Sequence, residues 1–153
     1  GRDSGFIALD VAIAGGAEGA LIPEDIEDWD KVIKHFSREG KRQKSFSIIV
    51  VAEGDEQGGA LILEKKLADI YPDLKIRSTI LGHVQRGGSP SARDRILASR
   101  LGSEAVKALI DGQKSITVGI INDQVSYTAF DLAINGKKSV SKELIQLAEI
   151  LAR

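Results

Sequence analysis

Apolar and polar positions alternate in blocks along the chain, and the blocks change period. Ile7, Leu9, Val11, Ala12 and Ile13 predict a helix over 7–13, closed by Gly15-Gly16, a C-cap signal. Gly19–Ile22 reads as a short buried strand stopped by Pro23. Ile26, Trp29, Val32, Ile33 and Phe36 recur at spacings of three and four, predicting a helix over 25–38 with Asp25 as N-cap and Gly40 beyond its end. The unbroken run Ser45–Ala52 is what a parallel strand covered on both faces looks like, and it delivers Glu53-Gly54 to its carboxyl end. A helix over 60–70 follows, then a turn at Pro72 and a strand carrying Ile76, Ile80 and Leu81 up to Gly82. Helix 91–110, strand 116–121 and helix 142–151 complete the chain. Helix and strand alternating in this way imply an α/β fold in three layers: a mainly parallel sheet with helices on both faces. No internal repeat, low-complexity segment or linker interrupts it, so residues 1–153 are expected to form a single domain.

Composition narrows the classes. The chain has 153 residues, 42% hydrophobic and 28% charged, with a net charge of −1. That balance lacks the basic excess of a nucleic-acid or membrane surface. Aromatic residues make up 5%, too few to interleave with basic loops as base-stacking platforms do. No apolar run approaches the roughly 20 residues of a membrane span. The absence of cysteine excludes disulfides and thiolate chemistry and fits a cytoplasmic location. Methionine is also absent, and the chain opens Gly1-Arg2-Asp3, which predicts a piece of a longer polypeptide.

The chemistry concentrates at residues 77–90, RSTILGHVQRGGSP. Two guanidiniums and an imidazole beside a Gly-rich turn suit a doubly negative phosphate ester. Arginine offers planar, fixed donors, and glycine lets the backbone approach closely. The same residue types also describe a solvated loop, and residue types alone leave both readings open. In open α/β sheets ligands gather at the carboxyl ends of strands. Glu53, His83 and Arg86 fall just past such ends and are expected to converge. Arg77, at the start of its strand, is expected at the opposite edge, within reach of a neighbouring subunit.

The string Leu81-Gly82-His83-Val84-Gln85-Arg86-Gly87-Gly88-Ser89-Pro90 closely resembles the signature of the phosphofructokinases, and the resemblance extends over essentially the whole chain. It implies fructose 6-phosphate as ligand. His83 and Arg86 would bind it from within the subunit, Arg77 from across a subunit contact, and Glu53 would take sugar hydroxyls as an acceptor-only carboxylate. Gly1-Arg2 resembles the end of the family's Met-Gly-Arg segment, whose arginine lies near the reacting end of the sugar. Arg42 and Lys44 match residues that bind effector phosphates in regulated bacterial members, and Glu18 matches a carboxylate that helps hold the effector's metal. The resemblance also implies a homo-oligomer, a tetramer in the parent enzyme.

Other parts are lacking. The family's Gly-Gly-Asp donor loop and its Thr-Ile-Asp-Asn-Asp segment, which carries the catalytic base, do not occur here. Gly58-Gly59-Ala60 and Gly87-Gly88-Ser89 do not make a P-loop. The expectation is therefore the sugar-phosphate-binding half of a 6-phosphofructokinase, with no catalytic residue and no metal site of its own. ATP and Mg2+ would be held mainly by an N-terminal half absent from this sequence, with pyrophosphate as the alternative donor. The competing reading is a non-catalytic sugar-phosphate or effector-binding module.

Overall fold

The computed structural model describes residues 4–25, 28–38, 46–54 and 59–152. By its internal contacts the chain divides into two compact units, residues 1–80 with 139–153, and residues 81–138. Each is described by itself.

The first unit is built on one parallel strand pair. β1 (Gly19–Leu21) lies beside β2 (Ile49–Val51), in the register Gly19↔Ile49, Ala20↔Val50 and Leu21↔Val51. Successive side chains on a strand point to opposite faces, and the packing follows that rule. Ala20 and Val50 pack with Leu9, Ala12's neighbour Ala8, and Ile22 beneath α1 (Phe6–Gly15) and α6 (Lys142–Leu151). Leu21, Ile49 and Val51 pack on the other side with Trp29 and Val32 of α2 (Asp28–Arg38) and Leu63 and Leu67 of α3 (Gly59–Ile70). The result is the three-layer α/β arrangement the sequence predicts. Leu21 is fully buried, and the Lys66 ammonium sits 4.6 Å from the centre of the Trp29 ring.

Local details account for the element ends. Gly16 caps α1, its N–H donating to the Ala12 and Ile13 carbonyls. The Gly5 N–H donates to both carboxylate oxygens of Glu24, at 3.1 and 2.9 Å, holding the entry to α1 against the turn after β1. The expected cap at Asp25 and the apolar position Ile26 meet a junction, residues 26–27, that lies outside the described residues. One expectation fails: residues 76–81 do not form a strand. Ile76 reaches the Leu21 core, but Ile80 and Leu81 are exposed and no ladder partner pairs with the segment among the described residues. A strand exists only through its partner's hydrogen bonds, and the apolar pattern alone does not provide one.

The second unit holds α4 (Ala92–Ile110), β3 (Ile116–Ile121), β4 (Gln124–Ala129) and α5 (Phe130–Asn135). The strand expected at 116–121 is present, but its partner is antiparallel, so the parallel pairing of β1 with β2 does not extend to this unit. β4 and α5 were not foreseen. The hairpin turns on Asn122 and Asp123, both at positive φ (49° and 63°), the conformation a two-residue loop needs to match strand twist and one that Asn and Asp tolerate. Arg100 on α4 secures this turn, donating to the Asp123 carbonyl at 2.8 Å and pairing with its carboxylate at 3.3 Å.

Candidate functional site

Residues 82–86, Gly-His-Val-Gln-Arg, form one short 3-10 helix. The 3-10 helix has three residues per turn, so side chains at i and i+3 stand above one another on the same face. His83 and Arg86 are such a pair, and about 6 Å of rise separates them. Both are exposed, as is the whole stretch from Ile80 to Ser91.

Two glycines fix this turn. Gly82 enters it at φ +57°, in the left-handed region. Gly87 leaves it at φ +84° and ψ −172°, a conformation essentially closed to residues with a Cβ, while its N–H donates to the Val84 carbonyl at 3.1 Å. The spacing Gly-His-x-Gln-Arg-Gly is thus a backbone requirement around the His83 imidazole and the Arg86 guanidinium.

The exit is fixed as well. Ser91 caps α4 in a reciprocal box: its N–H and Oγ meet Asp94 Oδ2 at 2.8 and 2.7 Å, and the Asp94 N–H meets Ser91 Oγ at 3.3 Å. These bonds, with the nearby Arg93 charge, hold the Asp94 carboxyl below its ordinary pKa. No acidic residue occurs between Arg77 and Asp94, and Asp94 is engaged with Ser91. The turn therefore presents donors and positive charge without a competing carboxylate, which suits an anion. The Ser-x-x-Asp signal after Pro90 was available in the sequence and went unread there.

The remaining predicted residues belong to the first unit. Glu53 lies exposed in the turn just past the carboxyl end of β2, as expected. Arg77 is exposed in the 71–81 segment, and since no strand forms there, its assignment to the far edge of a strand does not stand. Glu18 lies at the opposite edge of the β1–β2 pair from Glu53. Its N–H donates to the Ile48 carbonyl at 2.9 Å, and its Oε2 accepts the Ile48 N–H at 2.6 Å. That carboxylate extends the strand pairing by one rung. Gly1, Arg2, Arg42 and Lys44 lie outside the described residues. The structure thus brings together His83 and Arg86 on one turn. Glu18, Glu53 and Arg77 belong to the other unit.

No group of three His, Cys, Asp or Glu side chains able to hold a metal is present among the described residues. No helix of the described residues is long and apolar enough to cross a membrane.

A glycine-bracketed turn carrying His83 and Arg86 has donors chemically suited to an anion, and comparison with known proteins narrows the class. The family model described as "Phosphofructokinase" matches residues 1–109, a span that includes every candidate residue named above. The chain is 43% identical over 152 residues to ATP-dependent 6-phosphofructokinase 2 of Bacteroides thetaiotaomicron, covering 99% of this chain and 47% of that protein. It is 46% identical over 154 residues to ATP-dependent 6-phosphofructokinase 1 of Thermus thermophilus, again covering 99% and 47%. Among solved structures, phosphofructokinase from Saccharomyces cerevisiae superposes with a TM-score of 0.77 at 30% identity, over 99% of this chain and 21% of that one. The T-state Pichia pastoris enzyme gives 0.76 at 29%, over 99% and 18%. The chain belongs to the phosphofructokinase family. It spans about half the length of the curated relatives it matches.

Proposed function

We propose that this chain is the fructose 6-phosphate-binding portion of a 6-phosphofructokinase, the glycolytic enzyme that moves a phosphoryl group from ATP to the 1-hydroxyl of fructose 6-phosphate. The observation that carries the reading is the turn at 82–87, where His83 and Arg86 share one face between two glycines held at positive φ. The Arg86 fork, with five N–H donors, takes the 6-phosphate oxygens, and His83 adds a donor one turn away. Glu53 accepts sugar hydroxyls. Arg77 and Arg2 complete the site in the assembled enzyme, Arg77 from a neighbouring copy in a homo-oligomer.

Phosphoryl transfer also needs a donor cradle, a metal and a group that orients the acceptor hydroxyl. The described residues do not fit magnesium, since they provide no group of three carboxylate, His or Cys side chains that could hold it, and the metal and ATP are not placed on them. Both are assigned to the remaining polypeptide. The relatives' names favour ATP over pyrophosphate as donor. Glu18, at the end of the β1–β2 pair opposite Glu53, is proposed as part of an effector site together with Arg42 and Lys44.

Calorimetric titration of the chain with fructose 6-phosphate, against fructose as control, tests the reading. Without contacts from another subunit, binding is expected in the millimolar range, about 4 kcal/mol. Arg86→Ala removes a charge-assisted contact of about 1.5–3 kcal/mol and should weaken binding at least tenfold. Equal binding of fructose, or binding indifferent to Arg86→Ala, would overturn the assignment. The chain alone is expected to form no fructose 1,6-bisphosphate with ATP, because positioning and stabilising the donor account for most of the rate.

A further inference from the structure

The residues that follow α3, from Tyr71 onward, form no strand, yet they are tied to the first unit at three points. The Tyr71 hydroxyl donates to the Ile33 carbonyl at 3.0 Å, and the Leu74 N–H closes a turn on the Tyr71 carbonyl at 3.0 Å. Ile76 packs against the core that holds Leu21 and Trp29. Two residues on, the Ser78 hydroxyl donates to the Ala60 carbonyl, in the first turn of α3, at 3.1 Å. A carbonyl oxygen has two lone pairs, so Ala60 accepts this bond without giving up its place in the helix.

Exposure alternates across the last two ties. Ile76 and Ser78 are half-buried, whereas Arg77 and Thr79 are exposed. Arg77 thus stands between two anchored neighbours with its own side chain in solvent. The two anchors differ in kind. The apolar contact of Ile76 is non-directional and tolerates sliding and rotation of the backbone. The Ser78 bond has a preferred length and angle, so it fixes the register of the segment on α3. Among the described residues it is also the last such bond, since Thr79 and Ile80 make none to the unit.

We propose that Ser78 is a positioning residue for Arg77: by holding the 71–81 segment to the first turn of α3, its hydroxyl fixes the place from which the Arg77 guanidinium reaches the phosphate of the sugar. The inference rests on the assignment of Arg77 to fructose 6-phosphate proposed above, and adds the group that makes that contact reproducible. A binding side chain must be held within about 0.5 Å of its productive geometry by a supporting shell. Arginine is long and rich in rotamers, so a backbone free to shift beneath it adds to the ordering that binding must supply. Anchoring Cα on both sides removes that part of the cost before the sugar phosphate arrives. Ser78 touches neither substrate nor reacting atoms. It acts through Arg77 alone.

The test is steady-state kinetics of the full-length enzyme carrying these residues, as Arg77→Ala, Ser78→Ala, Ser78→Thr and the double variant Arg77→Ala/Ser78→Ala. Arg77→Ala should raise KM for fructose 6-phosphate about tenfold or more, as loss of a charge-assisted contact does. Ser78→Ala should raise it about threefold with kcat held, a loss of binding rather than of chemistry. Ser78→Thr keeps the hydroxyl and should restore the wild-type KM. In the double variant Ser78→Ala should add nothing to Arg77→Ala, because a residue that acts through another has no effect once that other is gone. A bond serving stability alone would lower Tm and leave KM unmoved. An unchanged KM in Ser78→Ala, beside a raised one in Arg77→Ala, would overturn the inference and leave the role of Arg77 standing. So would a rise that persists in the Arg77→Ala background. An unchanged KM in Arg77→Ala would remove the assignment of Arg77 itself, and the inference with it.

Discussion

The two units spend their apolar residues differently. The first places Leu9, Leu21, Trp29, Leu63 and Leu67 inside, on both faces of only two short parallel strands. The second is better supplied with regular structure, with a 19-residue helix and a six-rung hairpin, yet it buries Ala108 alone among its described hydrophobic residues. Secondary structure and a core are therefore separable. The second unit holds its elements by capping, ladder bonds and polar ties such as Arg100–Asp123, the first by exclusion of water. The cationic turn belongs to the unit with the weaker core, where shape is fixed by backbone geometry at Gly82, Gly87 and Ser91.

The largest expected effect sharpens this contrast. Leu21→Ala removes a fully buried side chain between α2, α3 and the strand pair, and should cost about 2–5 kcal/mol. Leu109→Ala, a truncation of the same size on an open face of α4, should change the stability of this chain by less than about 0.5 kcal/mol. Denaturant melts of both variants check the pair. Equal losses would mean that the Leu109 face is already covered in this chain, and the contrast between the units would collapse.

How far the sequence could foresee this depends on which force shapes each segment. Where an element is decided by its own periodicity and stop signals, the reading holds: α6 covers the predicted Lys142–Leu151, and α1 closes at Gly16 as Gly15-Gly16 implied. Where pairing decides, it does not. Ile76–Leu81 has strand composition but no ladder partner, and β4 was passed over because Ser126 and Thr128 dilute its apolar signal. The turn at Asn122-Asp123 was the better clue, since both residue types tolerate positive φ. For the site, residue types at 77–90 left a solvated loop and an anion site both open, and it was the resemblance of the 81–90 string that singled out His83 and Arg86. The positions of Arg42 and Lys44 depend on a segment outside the described residues.

A smaller effect tests the polar side of the contrast. Ser91→Ala deletes the cap of α4 and should cost about 1 kcal/mol, concentrated in the first turn and seen as faster amide exchange at Arg93–Arg95. Its pH counterpart follows from Asp94. A carboxyl whose folded pKa is depressed stabilises the fold above its unfolded pKa, and that contribution fades as pH falls through the lower, folded value. Acidification below the ordinary carboxylate range should therefore loosen the first turn of wild-type α4. In Ser91→Ala the same acidification should do little more. A first turn that loosens equally with acid in both proteins would show that the box does not hold the exit of the cationic turn.

The smallest effect lies at the far end of α4. The Tyr127 hydroxyl donates to Glu104 Oε2 at 3.0 Å, and Lys107 bonds the other oxygen at 2.7 Å. Glu104 is thereby held below its ordinary pKa, while the bond it accepts raises Tyr127 and that from Lys107 raises the ammonium. For Tyr127 and Lys107, whose protonated forms the fold favours, the stabilisation is complete below the unfolded pKa and is lost as pH rises through the folded one. Absorbance titration should find Tyr127 ionising above the usual phenol range, and Glu104→Gln should bring it back toward that range. Lys107 and Tyr127 are exposed and Glu104 is partly so, and raising salt should shrink the displacement. Should Tyr127 titrate identically in wild type and Glu104→Gln, the hairpin would be held to α4 mainly through Arg100. Only the tie at the Asn122-Asp123 turn would then remain to orient the hairpin on the helix.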